Sequence, residues 1–181
     1  MNGDKSSAAG AKPATEAMND LRLGAARRRL SESSSREDAI EGLREIVANF
    51  LGSEEMGLFR FDHSTGTFQV YWSFGIDLEE YDLLHALGQA GFQRVMRGEC
   101  HVEFGVRERS GAAPKAQAFV PISVANQTIA VLALLRLLPQ KVAFDKSDME
   151  LFKLLSDEAA KPLFGPVEPA MQGSGEAGMP R

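Results

Sequence analysis

Residues 119–135 read FVPISVANQTIAVLALL, and this stretch decides the fold. Two apolar runs, 116–123 and 128–138, are joined by Val124, Ala125, Asn126 and Gln127. Runs apolar at nearly every position are covered on both faces of a sheet. A short polar turn between them makes the two strands antiparallel neighbours. Towards the C-terminus, 139–146 reads as a loop. Residues 148–164 then carry Met149, Phe152, Leu155, Ala159 and Leu163 on one helical stripe. Towards the N-terminus, 105–115 is polar with Gly and Pro and reads as a surface loop, preceded by a short strand at 100–104.

Further out, 77–97 has helical spacing, with Leu78, Tyr81, Leu84 and Leu87, then Phe92, Val95 and Met96 beyond a break at Gly88 and Gly91. Residues 56–61 and 67–74 are short aromatic and β-branched runs around a polar turn at 62–66, which predicts a β-hairpin. Strict alternation puts Phe68, Val70, Trp72 and Phe74 on one face of the second strand. Residues 36–51 form a strongly amphipathic helix through Ala39, Ile40, Leu43, Ile46, Val47, Phe50 and Leu51. Ser35 and Asp38 have the spacing of a helix cap, and Gly52 is placed to end the helix. Strands in runs with helices grouped between them predict an α+β fold with an antiparallel sheet flanked by helices, the N- and C-terminal helices packed together.

The chain of 181 residues then divides into a basic N-terminal arm (1–35), one domain (36–165) and a tail (166–181). The arm reads as disordered apart from a short helix at 16–30 bearing Met18, Leu21 and Ala25, and the tail reads as unstructured. Composition is ordinary for a globular domain, at 44% hydrophobic and 25% charged residues. The formal net charge of -5 disfavours a nucleic-acid binder. Residues 1–36 hold seven Lys/Arg against four Asp/Glu, whereas 37–165 hold twelve against nineteen. The run Arg27-Arg28-Arg29 is read as a solvated helix face, with an acidic partner as the alternative. No apolar stretch has the length of a membrane span, and the first residues lack the apolar core of a signal peptide, so no membrane insertion and a cytoplasmic address are expected.

The order of elements, together with three stretches, resembles the GAF domain, a relative of PAS domains used in signalling. GFQRVMRGECHVEF (91–104) is similar to that family's helix, glycine turn and strand. FVPISVANQTIAVLALL resembles its paired apolar strands, and AFDKSDMELFKLLSDEAAKPL (143–163) resembles the start of its long C-terminal helix. The resemblance spans roughly 36–165 and implies the fold above and homodimer formation through the terminal helices. Where cyclic-nucleotide-binding members carry Asn-Lys and Phe-x-x-x-Asp-Glu, this chain has Gln140, Lys141, Phe144, Asp148 and Met149. The two departures leave a Lys141–Asp148 pair that pins a loop, without support for a cyclic nucleotide.

The resemblance also places a pocket between sheet and helix, which Trp72, Phe74, Tyr81, His85, Phe92, Phe104 and Val120 are expected to line. Aromatic walls with a few polar tips suit a small planar ligand. The same rings also serve to fill the space themselves. Cys100-His101 is similar to the chromophore-attachment pair of bilin-binding relatives but stands at a strand start rather than on a helix, so Cys100 is read as structural. A lone cysteine has no resolving thiol for sulfoxide reduction, and His63, His85 and His101 lack metal-ligand spacing. The cluster at 77–82 is read as a solvated helix start rather than an acid catalyst. No enzyme activity, cofactor or metal is expected. Two functions stay open: a ligand-gated regulatory module in intracellular signalling acting through a partner protein, or a dimerising interaction module with a filled pocket.

Overall fold

The structure is a computed structural model that describes residues 14–79, 81–103 and 118–165. Its elements are α1 (Ala14–Ser31), α2 (Arg36–Ile46, continued by a π turn, Val47–Leu51), β1 (Ser53–Asp62), β2 (Thr67–Phe74), α3 (Leu83–Met96), β3 (His101–Val102), β4 (Ala118–Val124), β5 (Gln127–Leu137), α4 (Lys146–Glu158) and α5 (Ala160–Phe164). The five strands form one antiparallel sheet in the order β2-β1-β5-β4-β3. The fold is α+β, with α1, α2, α4 and α5 on one face and α3 on the other.

The β4–β5 hairpin is the centre. Ala125 and Asn126 both adopt positive φ, 49° and 64°, the geometry whose twist matches a two-residue hairpin turn. Successive β5 residues feed opposite faces: Leu132 and Leu134 lie under the terminal helices, whereas Val131, Ala133 and Leu135 lie under α3. α2 starts as its sequence indicates, with the Ser35 hydroxyl accepting from the Asp38 amide at 3.1 Å. Gly52 closes it at φ 64°, in the left-handed region that favours glycine. α4 opens with a reciprocal cap between Asp145 and Asp148. The single helix expected over 148–164 breaks at Ala159, because Pro162 has no amide to give the Glu158 carbonyl.

The short helix expected at 16–30 forms over residues 14–31 and is docked, but through Ala26 and Leu30 rather than the expected Met18 and Leu21, which are exposed. α1 packs on α4 and α2, and α2 packs on α5, so helices from both ends of the chain meet on one face. Small side chains and charges hold α1: Arg27 chelates Glu158, and Arg29 reaches Asp38 at 2.9 Å and Glu45 at 2.6 Å. Two of the three consecutive arginines are therefore spent within the fold. The expected helix at 77–97 is shorter and begins at Leu83, capped by Asp82, whose carboxylate accepts from the His85 amide at 2.9 Å. Residues 1–13, the whole of the expected 105–115 loop (within 104–117) and the 166–181 tail lie outside the described residues. Among the described residues, no helix is long and apolar enough to cross a membrane.

Candidate functional site

Under α3, Phe59, Phe119, Val131, Ala133 and Leu135 of the strands meet Leu83, Leu87 and Val95 of the helix, none more than 4% exposed. Leu78 lies over β1 so closely that a Cβ on Gly57 would sit 2.3 Å from it, which is why that strand position is glycine. Half-buried rings border this cluster. Tyr81 lies 5.8 Å from Phe59, and Phe92 lies 6.2 Å from Phe61 and 6.3 Å from Phe68, centroid to centroid.

The residues expected to line one pocket do not converge. Tyr81 and Phe92 border the α3 cluster. His85 is exposed on α3, and Phe104 lies outside the described residues. Trp72, Phe74 and Val120 belong to the opposite face. Val120 is fully buried in the terminal-helix core, beside its strand partner Leu132. The reason for the other two is a β-bulge: Leu58 pairs with Trp72 and Phe59 pairs with Val70, leaving Tyr71 as the extra residue. Past the bulge the alternation inverts, so Phe68 keeps to the α3 side while Trp72 and Phe74 turn to the other. There the two rings stack with 6.2 Å between centroids and 16° between planes, and the Arg44 guanidinium of α2 lies 4.9 Å from the Phe74 centroid.

On the α3 side stands His101, which the sequence offered only beside Cys100 and as a histidine without metal-ligand spacing. The His101 ring lies parallel to Phe119 at 6.0 Å, and its Nε2 is 2.9 Å from Glu103 Oε1. Its Nδ1 is buried and has no hydrogen-bond partner among the described residues. Gly91 makes room for it, since a Cβ there would come within 3.1 Å of the imidazole. A glycine inside a helix facing a strand histidine was the available signal.

On the terminal-helix face, Asp148 is fully buried and receives three donors. Lys141 Nζ stands 2.8 Å from Oδ2, the Asp145 amide 2.9 Å from Oδ2, and Arg22 Nη2 2.6 Å from Oδ1. Arg22 also donates to the Ser147 hydroxyl and the Phe50 carbonyl. A carboxylate removed from water needs such partners, and these come from α1, the loop after β5 and the start of α4. Phe144 covers the loop by packing edge-on against Phe152. Arg22 was missed because 126 residues separate it from Asp148 and no local pattern couples them.

Cys100 packs against the same face. Burial pushes its thiol up from about 9 to about 11, and the Asp157 charge adds to the shift. The group stays protonated at neutral pH, the opposite of an activated thiolate.

No protein-family model and no curated protein matches the chain. Solved structures do. The GAF domain of an Acinetobacter phosphoenolpyruvate-protein phosphotransferase superposes with a TM-score of 0.60 at 17% identity, over 81% of this chain and 92% of that one. The GAF domain of the potassium sensor histidine kinase KdpD from Escherichia coli gives 0.51 at 15% identity, over 80% and 94%. A type II free methionine-R-sulfoxide reductase from Thermoplasma acidophilum gives 0.52 at 16% identity, over 71% and 94%. Likeness at these identities carries the architecture and nothing finer: the chain has the GAF fold.

Proposed function

We propose that the chain is a non-catalytic regulatory module that works by contact, joining a second copy of itself and a partner protein through the terminal-helix layer. The observation that carries this reading is the packing of the α3 face: among the described residues, strand and helix side chains meet there in a buried cluster, and three of the expected lining residues belong to the other side of the sheet. Met18 and Leu21, one turn apart on α1 and 67% and 69% exposed, supply apolar surface on the terminal-helix side for self-association. The protonated, partly buried Cys100 argues against thiolate chemistry of the kind a sulfoxide reductase would need. Other proteins with this fold include a sensor kinase and a phosphotransferase, which fits a regulatory role here.

A ligand-gated reading has one specific observation in its favour, the buried Nδ1 of His101 without a partner. Native mass spectrometry of the purified chain separates the two. The contact reading expects bare protein masses, with dimers that disappear in a Met18→Glu, Leu21→Glu variant. A small-molecule adduct lost on Phe92→Ala but kept on Trp72→Ala would overturn it in favour of a ligand on the α3 face.

A further inference from the structure

The turn between α1 and α2 and the start of α5 enclose a cleft of about 470 Å³, on the opposite side of the sheet from α3. Its floor is apolar, made by Leu30, Pro162 and Leu163. Its walls carry Arg27, Arg36 and Lys161, with Glu158 as the lone carboxylate among the lining residues. Glu158 is held by Nε and Nη2 of Arg27 at 2.7–3.0 Å, so these two charges cancel. Arg36 and Lys161 remain, each exposed and each without an ion-pair partner among the described residues. They approach from different elements. Among the lining serines, Ser31, Ser33 and Ser34 already donate their hydroxyl hydrogens, to the Arg28 carbonyl, the Arg29 carbonyl and the Asp38 carboxylate. The Ser35 oxygen accepts from the Asp38 amide, which leaves its own hydrogen to donate into the cleft.

We propose that this cleft binds a small organic phosphate. A phosphomonoester carries about -1.5 to -2 charges at neutral pH and three acceptor oxygens, which the two cations and the Ser35 hydroxyl complement. A carboxylate would balance one of the two cations. The volume exceeds what a bare phosphate fills and lies in the range of small-molecule sites, roughly 300–1,000 Å³. The apolar floor suits the carbon part of an ester. The site is independent of the contact reading above and adds an input to it: an anion between Arg36 and Lys161 would tie the α1–α2 turn to α5.

The probe is phenyl phosphate, titrated into the full chain while backbone amide shifts are recorded. Saturable shifts centred on residues 31–37 and 161–165 are expected. In an Arg36→Ala, Lys161→Ala double variant the affinity falls about tenfold or more, as loss of charge-assisted bonds requires. Both residues are exposed, so the variant keeps its circular dichroism and melting temperature, and Lys161→Arg retains binding. Absence of saturable shifts, or an undiminished response in the folded double variant, overturns the site. Equal affinity for inorganic phosphate overturns the assignment to an organic ester.

Discussion

The two faces of the sheet are built from the same strands and behave differently. Towards the terminal helices, apolar side chains from four helices and three strands form one buried core, crossed by the Asp148 cluster that binds α1 to α4. Towards α3, a smaller core is covered by one helix whose backbone leaves helical geometry at Gly88, φ 60° and ψ 175°. Its aromatic border is half-buried. The contrast separates a rigid platform from a face with fewer layers above it, and opening free energies follow that kind of difference.

Truncation in the two cores is the strongest way to break the comparison. Phe152 is fully buried in the platform and packs on Phe144. Phe152→Ala is expected to cost about 3–5 kcal/mol, the range for deleting a buried aromatic. Phe92, half-buried at the α3 border, should cost only about 1–2 kcal/mol when cut to alanine, in proportion to the smaller area it hides. Chemical denaturation of the two variants measures both, and equal losses would remove the distinction between the faces.

The charged cluster comes next in size. Asp148→Ala leaves Arg22 and Lys141 without their shared carboxylate, each only 16–20% exposed at the side chain. A loss of about 2–4 kcal/mol is expected, somewhat below that of a fully buried broken pair because water reaches both cations. Arg22→Ala alone should cost less, and a double-mutant cycle should return a coupling of about 1 kcal/mol or more. Hydrogen exchange adds a location: α1 amides should exchange faster in Asp148→Ala, while those of α3 stay unchanged. Faster exchange in α3 as well would mean that the cluster supports the whole molecule rather than one face.

The same contrast explains what the amino-acid order revealed. The β4–β5 hairpin, the start of α2 and the capped start of α4 were legible because each is a local pattern: uninterrupted apolar runs, a serine three residues before an aspartate, an aspartate before a helical stripe. The docking of α1 was not, because its apolar stripe is narrow, Leu23, Ala26 and Leu30, and long-range ion pairs supply much of the remaining contact. The inverted faces of Trp72 and Phe74 were hidden for a different reason. A bulge at Tyr71 depends on how β2 registers against β1, and nothing within residues 67–74 announces it. One unseen extra residue was enough to divide the expected pocket between two sides of the sheet.

The smallest effect lies at the junction of the two faces. Cys100 packs on the platform, and the next residue, His101, stacks on Phe119 of the α3 core. The thiol, pushed up to about 11 by burial, is held protonated by the fold, whereas in the unfolded chain it ionises near 9. Below the lower value this preference contributes fully to stability; between the two the unfolded chain gives up a proton that the folded chain keeps, so stability falls as pH rises. Other alkaline groups titrate in the same window, and Cys100→Ala serves as the reference that carries all of them except the thiol. Wild-type stability should therefore decline more steeply than that of the variant from about pH 9 to pH 11 and run parallel to it below. Parallel curves throughout, or rapid labelling of the native thiol by a disulfide reagent at neutral pH, would place Cys100 on an opening face with α3 rather than on the platform.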